Sequence, residues 1–482
     1  MCDNITQLFH LTGLKRLMTQ LVKNNITQLM RAENLPQLCI DVFLSQYDKM
    51  TAGEESAIRE ESITPVENVA NIETLEDFSH QGEAVLNQAV MIKLNGGLGT
   101  SMGLEKAKTL LTAKNNQSFL EIIIKQVISQ RNKLNSAMPL VFMNSFNTEA
   151  DTQAILNTFS ELEQGQNNVS LTFVQNKVPK IFSDSHEPAE WTKDPSKIWC
   201  PPGHGDIYTA LQTSGTLDQL LDAGIKYAFI SNADNLGATM DLSVLGYFAE
   251  QDASFMMEVA DRTPADKKGG HLAQFKAGSL LLRESAQCHP DDTDEFQDIN
   301  KYKFFNTNNL WIRLDRLKAL MDENRGIVDL PLIQNDKTLD PRDADSPNVI
   351  QMETAMGAAI SNFKDSIALR IPKSRFTPIK TSNELLGLWS NAFVLDENNL
   401  VVTNPERKEG FIEINLDDKF YKKIDDLQAR FPEGAPDLVD CKKLTIVGDV
   451  KFGAGVRLVG DVVIKNESSE QMVIESGMVI EQ

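Results

Sequence analysis

The sequence has 482 residues, more than one hydrophobic core usually organises, so we expect two or three domains. Hydrophobic residues make up 41% of it, the level of an ordinary globular protein. A formal net charge of −21 disfavours nucleic acid or an anionic membrane surface as the main partner. Any phosphorylated ligand must therefore be met by local positive charge.

The cysteines are few and scattered, and they form no CxxC pair. This spacing is typical of reduced thiols and favours neither a disulfide framework nor a zinc site. No apolar run reaches the roughly 18 residues that a membrane-spanning helix needs. The first residues also lack the charged and apolar regions of a signal peptide. These features predict a cytoplasmic protein.

Residues 1–88 are predicted to form a helical segment followed by a connector. Leucines recur at helical spacing up to about residue 50 and predict an apolar stripe. The stripe consists of Leu8, Leu11, Leu14, Leu17, Leu21 and Leu29. Residues 51–88 are acidic, and we interpret them as an irregular or short-helix connector with a solvated surface and no chemistry.

From residue 89 onward, apolar strand candidates alternate with amphipathic helical segments. Strands are predicted at 89–94, 139–145, 169–175, 227–234 and 255–260, and helices at 118–133, 148–163, 205–221 and 242–251. This alternation indicates an α/β domain with a mostly parallel sheet. We assign residues 89–385 to this domain and residues 386–440 to a linking segment.

Residues 441–482 change to a six-residue repeat. Leu444, Val450, Val456 and Val462 are spaced by six, with glycines at the intervening turns. This period predicts a short parallel β-helix. An antiparallel β-meander is the alternative.

A glycine-rich loop follows the first predicted strand of the α/β domain. Residues 94–103 read LNGGLGTSMG. Glycines let backbone N–H groups approach an anion, and a strand-loop-helix order places a nucleotide at the carboxyl edge of a parallel sheet. The loop fits neither the Walker A nor the dinucleotide fingerprint. A tight structural turn is the alternative interpretation.

Two further motifs place polar side chains where a ligand could bind. Asn232 and Asp234 follow an apolar strand, where a carboxylate can hold Mg²⁺ against phosphate oxygens. His204 lies between two glycines at the start of a predicted helix, whose N-terminus would receive an anionic group. The alternatives are a helix cap or turn for Asp234 and a structural role for His204.

A basic segment and an asparagine-rich segment complete the candidates. Residues 370–380 hold four cations, which with Lys108 supply the positive charge that a triphosphate needs. Residues 305–311 read FNTNNLW, and amide side chains suit sugar hydroxyls because they both donate and accept. A basic surface loop and an asparagine-rich turn are the respective alternatives.

Together these stretches closely resemble the UTP-glucose-1-phosphate uridylyltransferase (UDP-glucose pyrophosphorylase) family of the eukaryotic type. The matching motifs, in family order, are LNGGLGTSMG (94–103), MNSFNT (143–148), PPGHGDIY (201–208), FISNADNLGAT (229–239), KGG (268–270), FNTNNLW (305–311), QMETAMGAAI (351–360) and SRFTPIKT (374–381). The resemblance implies a nucleotidyltransferase-like (Rossmann-like) mixed-sheet domain that binds a nucleotide sugar. It also implies that the C-terminal repeat is a left-handed parallel β-helix.

The resemblance further implies the role of each matching site residue. Nucleotide binding falls on Leu94, Asn95, Gly96, Gly97, Lys108, Gln175, Gly203, Asn232, Asp234 and Lys380, with Gln175 reading uracil. Sugar-phosphate binding falls on His204, Asn308 and Asn309. Lys108 and Lys380 are the expected catalytic lysines, with Lys106 as the competitor of Lys108, and Asp234 is the expected Mg²⁺ ligand.

The implied reaction converts UTP and glucose 1-phosphate into UDP-glucose and pyrophosphate with Mg²⁺, by direct in-line attack of the sugar phosphate on the α-phosphorus. One alternative is a relative that acts on UDP-N-acetylhexosamine or on a range of sugar 1-phosphates. Another is a non-catalytic protein that binds sugar nucleotides. An oligomer through the C-terminal repeat fits the resemblance, whereas an octamer is not expected because the additional C-terminal strand of octameric members has no counterpart here.

Overall fold

The structure, a computed structural model, describes residues 2–53, 57–104 and 106–482. The side chains of residues 2–16, Ser101 and Ala265 are outside this description. Leu8, Leu11 and Leu14 of the predicted stripe therefore lie outside the described side chains.

The helices agree with the mixed character expected of the chain. They are α1 (Cys2–Ala32), α2 (Gln37–Ala52), α3 (Ser79–Val85), α4 (Phe119–Leu134), α5 (Glu149–Leu156), α6 (Ile207–Thr213), α7 (Thr216–Asp222), α8 (Leu242–Glu250), α9 (Thr293–Gln297), α10 (Leu314–Glu323), α11 (Ser382–Trp389), α12 (Asp418–Tyr421) and α13 (Ile424–Arg430).

The strands are between two and ten residues long. They are β1 (Ile63–Pro65), β2 (Ala70–Asn71), β3 (Ala89–Asn95), β4 (Thr112–Lys114), β5 (Gln117–Ser118), β6 (Leu140–Asn144), β7 (Thr172–Val174), β8 (Val178–Pro179), β9 (Ile181–Phe182), β10 (Trp199–Cys200), β11 (Tyr227–Asn232), β12 (Phe255–Asp261), β13 (His271–Phe275), β14 (Leu280–Arg283), β15 (Phe304–Arg313), β16 (Ile333–Thr338), β17 (Asn348–Glu353), β18 (Ile367–Arg370), β19 (Phe393–Leu395), β20 (Val401–Thr403), β21 (Glu413–Leu416), β22 (Cys441–Val447), β23 (Val450–Phe452), β24 (Arg457–Lys465), β25 (Met472–Ile474) and β26 (Val479–Glu481).

The mixed α/β class is confirmed, and the chain forms two compact units, each assembled from separated segments. Unit 1 contains Met1–Ala70, Phe173–Tyr227 and Asp252–Arg370, and unit 2 contains Asn71–Thr172, Ala228–Gln251 and Ile371–Gln482. The four segments expected from the sequence are not tested by this division and stay a prediction.

The predicted strands are present, but two predicted helices are wrong in extent. Instead of one helix at 205–221, α6 and α7 are separated at Gly215, which has a φ of 75° in the left-handed region. The helix predicted at 148–163 ends at Leu156, and a 3-10 helix follows at Ser160–Gly165. Hydrophobic spacing continued through both breaks and could not reveal them.

In unit 2, β3 lies between β11 and β6. It pairs in parallel with β6 from the Met91–Leu140 pair to the Asn95–Asn144 pair, and every residue of both strands is buried. The N–H of Ala233 donates to the carbonyl of Leu94 at 3.0 Å. The carboxyl ends of β3 and β11 are therefore neighbours, and the loops that follow them meet.

In unit 1, β12 pairs in parallel with β18 and antiparallel with β15. The register with β15 shifts at one point, where Glu258 lies opposite Asn309 but Val259 lies opposite Asn306. The intervening residues form a bulge in which Asn308 has a φ of 57°. Thr307 and Asn308 of the asparagine-rich motif therefore lie outside the regular ladder, whereas Asn306 and Asn309 stay paired with β12.

The N-terminal helices are confirmed, but the predicted stripe is wrong at Leu17 and Leu21, whose exposed fractions are 72% and 61%. Ile26 and Met30 are the buried residues on the described part of α1. The reason is that α1 contacts α2 and β8, and this packing covers its C-terminal half.

In the C-terminal part, β21, β22, β24 and β26 form one parallel ladder, and β23 pairs in parallel with β25. The repeat residues Leu444, Val450, Val456 and Val462 are buried. The antiparallel meander is therefore wrong. The left-handed coiling of these parallel strands stays a prediction.

None of the described helices combines the length and apolarity required to cross a membrane. Within the described residues, Cys39, Cys200, Cys288 and Cys441 are free thiols, as their spacing predicted. Cytoplasmic residence and oligomerisation through the C-terminal strands stay predictions.

Candidate active site

The glycine loop follows the end of β3 in unit 2. Among the described atoms beyond Gly97 and its chain neighbours, none lies within 4 Å of the position that a Cβ of Gly97 would take, so this backbone faces open space. The loop is held from behind, because the Ser145 hydroxyl donates to the Gly96 carbonyl at 2.9 Å and the Lys108 N–H donates to the Gly97 carbonyl at 3.1 Å. A ligand can therefore approach the Gly97 backbone directly.

The Asn95 side chain holds this loop from inside the protein. Its Nδ2 donates to Asn144 Oδ1 at 2.7 Å and to Thr152 Oγ1 at 2.8 Å, and its Oδ1 accepts from Thr109 Oγ1 at 2.6 Å. The residue is 3% exposed. Any contact that Asn95 makes with a nucleotide would therefore come from its backbone.

An ion pair lies where the end of β11 meets the glycine loop. Lys108 Nζ donates to Asp234 Oδ2 at 2.7 Å, and the two side chains are 16% and 20% exposed. The other carboxylate oxygen, Asp234 Oδ1, is buried and has no hydrogen-bond partner in the described structure. Lys106 is exposed, so the geometry favours Lys108 as the lysine at this position.

The segment that contains Lys380 is attached to the same strand end. The Ile379 N–H donates to the Asp234 carbonyl at 3.2 Å, and the Thr377 N–H donates to Asn235 Oδ1 at 3.1 Å. Lys380 directly follows Ile379 and has an exposed side chain. The structure thus brings the glycine loop, Asp234 and the Lys380 segment to one edge of unit 2, with half-buried Asn232 at the end of β11.

In unit 1, the loop at 201–205 pairs with Thr354 through its backbone. The Thr354 N–H donates to the Pro202 carbonyl at 3.0 Å, and the Gly205 N–H donates to the Thr354 carbonyl at 2.8 Å. Gly203 has a φ of 80°, and a Cβ there would stand 2.6 Å from the Thr354 carbonyl oxygen. Only glycine fits this position without moving the backbone.

His204 is held in one tautomer by the same segment. Its Nδ1 accepts the Met356 N–H at 3.1 Å. Burial lowers the pKa of His204 to about 4, so the ring is neutral at pH 7. In this neutral ring Nε2 carries the proton and is the nitrogen that can donate to a ligand.

The asparagine motif divides into an open part and an internal part. Asn306 Nδ2 donates to Asn308 Oδ1 at 2.8 Å, and both residues are half-buried. Asn309 is fully buried and donates to Glu258 Oε2 at 2.9 Å, while Trp311 Nε1 donates to Glu258 Oε1 at 2.8 Å. Asn308 therefore lies on the side that a sugar could reach, whereas Asn309 supports the bulge.

Two supporting features were missed by the sequence reasoning. Glu258 is a carboxylate with apolar residues on both sides within the buried part of β12, and that setting is the signal that could have revealed it. The segment 354–357 was recognised as a motif without a role. It contacts the His204 loop, and at Gly357 a Cβ would stand 2.7 Å from Asn306 Nδ2. Gln175, also in unit 1, is buried with 7% exposed.

The α/β fold and the polar edge at the ends of β3 and β11 define a nucleotide-binding protein. The family model described as UTP-glucose-1-phosphate uridylyltransferase matches residues 40–459, and the chain belongs to this family of uridylyltransferase enzymes.

Relatives with solved structures and curated names agree with this assignment. A Leishmania major UDP-glucose pyrophosphorylase variant, solved in complex with UDP-glucose, has a TM-score of 0.89 and 41% identity, with 95% of this chain and 98% of that chain covered. The Hordeum vulgare UTP-glucose-1-phosphate uridylyltransferase is 38% identical over 91% of this chain and 91% of its own. The Encephalitozoon cuniculi enzyme of the same name is 35% identical over 92% and 86%, respectively.

The pKa of His204 leads to a prediction about acid stability. Because the folded pKa of about 4 lies below the ordinary 6.5, the contribution of the neutral ring to stability is complete above pH 6.5 and is lost as the pH falls through 4. His204→Asn keeps an acceptor for the Met356 N–H but cannot be protonated. We expect its thermal unfolding midpoint to fall less than that of the wild type between these pH values.

The exposed His80 provides the control, since His80→Asn should follow the wild-type profile. An identical acid loss in His204→Asn and wild type would contradict the lowered pKa of His204.

Proposed function

We propose that this chain makes UDP-glucose and pyrophosphate from UTP and α-D-glucose 1-phosphate, with Mg²⁺, by direct in-line attack of the sugar phosphate on the UTP α-phosphorus. The observation that carries the proposal is the attachment of the Lys380 segment to Asp234, beside the Lys108 pair and the open glycine loop. Family membership supports the choice of substrates.

The attacking group requires no activation by the protein. A phosphate oxygen is already anionic at neutral pH, so neither a general base nor a covalent enzyme intermediate is needed. Catalysis then consists of aligning the two substrates and neutralising charge.

Bringing the two anionic substrates together has an electrostatic cost. At about 4 Å and an effective dielectric constant near 20, the repulsion between two unit charges is on the order of 4 kcal/mol. We propose that Lys108 and Lys380 offset it by binding phosphate oxygens. In the structure Lys108 Nζ is paired with Asp234, which holds the lysine at the end of β11.

Asp234 is the residue that would hold Mg²⁺. Its buried Oδ1 accepts no hydrogen bond, which suits a cation whose other ligands come from phosphate and water. When bound, Mg²⁺ supplies additional neutralisation of phosphate charge. Among the described residues, His, Cys, Asp and Glu side chains form no cluster of three or more that could hold a metal ion.

Recognition of the sugar phosphate and the base is assigned to residues of unit 1. The neutral His204 ring presents Nε2–H as a donor to an anionic oxygen, and Asn308 offers an amide to sugar hydroxyls. Gln175 is assigned to uracil and Gly203 to backbone contact with the nucleotide, in line with the family motifs.

The substrate assignment is tested by measuring pyrophosphate release from UTP with the 1-phosphates of glucose, galactose and N-acetylglucosamine. We expect kcat/KM for glucose 1-phosphate to exceed the other two by at least about 100-fold, because a site built to hydrogen-bond hydroxyls rejects a sugar with an inverted or replaced hydroxyl. Comparable rates would favour the broad-range alternative. Binding of UDP-glucose without turnover would indicate the non-catalytic alternative.

The lysine assignments predict large losses in two variants. Lys380→Ala and Lys108→Ala should each lower kcat by about 100-fold or more, because each removes a positive charge from the developing pyrophosphate. Two lysines close in sequence are matched controls: Lys106 and Lys373 are exposed, and Lys373 Nζ lies 4.5 Å from the Phe411 ring centroid. Their alanine variants should stay within about twofold of wild type. Near-normal turnover by Lys380→Ala would refute its role.

The metal assignment predicts an altered magnesium dependence. Asp234→Asn retains the size of the side chain but removes its charge, so we expect half-maximal activity at a Mg²⁺ concentration at least about tenfold higher. Excess Mg²⁺ should restore the rate only in part. A titration of activity and a direct Mg²⁺-binding measurement check this, and an unchanged Mg²⁺ titration would refute Asp234 as a ligand.

A further inference from the structure

A buried carboxylate joins two segments of unit 1 that are thirty residues apart in sequence. The backbone N–H of Asn176 donates to Asp206 Oδ2 at 2.7 Å, and Asn176 Nδ2 donates to Oδ1 at 3.0 Å. The exposed fractions of Asp206 and Asn176 are 6% and 7%. Asp206 thus holds Asn176 at two points, through the main chain and through the side chain.

The Asp206 side chain does not cap the helix that follows it. It is the N-cap residue of α6, where an aspartate normally accepts a hydrogen bond from an N–H of the first turn, yet its side chain makes no such bond. Both carboxylate oxygens point instead to Asn176. The usual local explanation for an aspartate at this position therefore does not apply.

The placement of this carboxylate is energetically costly. Burial raises the pKa of Asp206 to about 7, and the hydrogen bonds from Asn176 oppose that rise. In the described residues no ion pair compensates its charge. Joining two segments through a buried carboxylate with only neutral donors carries a desolvation penalty, which indicates a role beyond packing.

The residue next to Asn176 is Gln175, the position assigned to uracil. Its side chain is buried, and an amide can read a base in either of two orientations, because its oxygen accepts while its nitrogen donates. Uracil and cytosine differ in the donor and acceptor that they present at the same edge. Discrimination between them therefore requires that the amide be held in one orientation.

We propose that Asp206 is a positioning residue for base recognition, which fixes the backbone at Asn176 and thereby holds the Gln175 amide in the orientation that accepts uracil. This inference rests on the proposed function, in which Gln175 contacts the base of UTP. Asp206 itself is not proposed to contact the base and acts through Asn176.

The test is the steady-state kinetics of Asp206→Asn with UTP and CTP. The new amide has one acceptor instead of two and turns an N–H group toward a donor of Asn176. We expect the KM for UTP to rise about tenfold and the preference for UTP over CTP in kcat/KM to fall about tenfold. The KM for glucose 1-phosphate and kcat at saturating UTP should change by less than about twofold. A merely structural role would not produce this split.

Asn176→Ala provides a second variant should Asp206→Asn fail to fold. It removes the side-chain hydrogen bond but retains the backbone N–H bond to Asp206, so the same two quantities should change in the same direction by about threefold. Asp218→Asn is the matched control, because Asp218 is an exposed aspartate on α7 of the same unit. The Asp218→Asn variant should have the wild-type KM for UTP and the wild-type preference for UTP over CTP.

The inference is overturned if the folded variants keep the wild-type preference for UTP, or if the KM values of both substrates rise together. These outcomes are distinct from failure of the proposed function. If the wild-type enzyme forms no UDP-glucose from UTP, the proposed function is wrong; if it does so and the variants remain fully selective, only the role of Asp206 is wrong.

Discussion

The hydrogen bonds and the ion pair around Asp234 are the constraint on which the edge of unit 2 depends. The Asp234 carbonyl accepts the N–H of Ile379, and its carboxylate accepts the ammonium group of Lys108. Two segments distant in sequence are thereby tied to the end of β11. Because one residue joins them, cations and the glycine backbone share one edge in a protein whose net charge is −21. The net negative charge repels phosphate at long range, so the attraction for phosphate must come from cations and backbone N–H groups close to the ligand.

Unit 1 uses a related arrangement with buried side chains as anchors. Glu258 holds the bulge that contains the asparagine motif, and the Met356 N–H fixes the tautomer of His204. The side chains that a ligand could reach are therefore oriented by internal groups that it could not reach. Preorganisation of this kind reduces the ordering that ligand binding would otherwise require.

The fold class and the central strands could be predicted because buried strands are mostly apolar runs, as in β3 and, apart from half-buried Asn232, in β11. The break between α6 and α7 could not, since it depends on the backbone of Gly215, which an apolar pattern does not encode. Likewise, periodicity predicted Leu17 and Leu21 to be part of a packed stripe, but it could not show that α1 packs through its C-terminal half.

The motifs do not encode the orientation of their side chains. Asn95 and Asn309 both lie in motifs expected to bind a ligand, yet their side chains bond to protein groups far along the chain. Such partners become neighbours only after folding. A motif therefore cannot reveal which of its polar atoms remain free for a substrate.

Two glycines of the loop after β3, Gly97 and Gly99, are under different structural constraints. At Gly99 the backbone has a φ of 61°, in the left-handed region that favours glycine. At Gly97 the described protein atoms leave room for a methyl group. A requirement for glycine at position 97 would therefore come from the proposed nucleotide contact, whereas at position 99 it comes from the backbone itself.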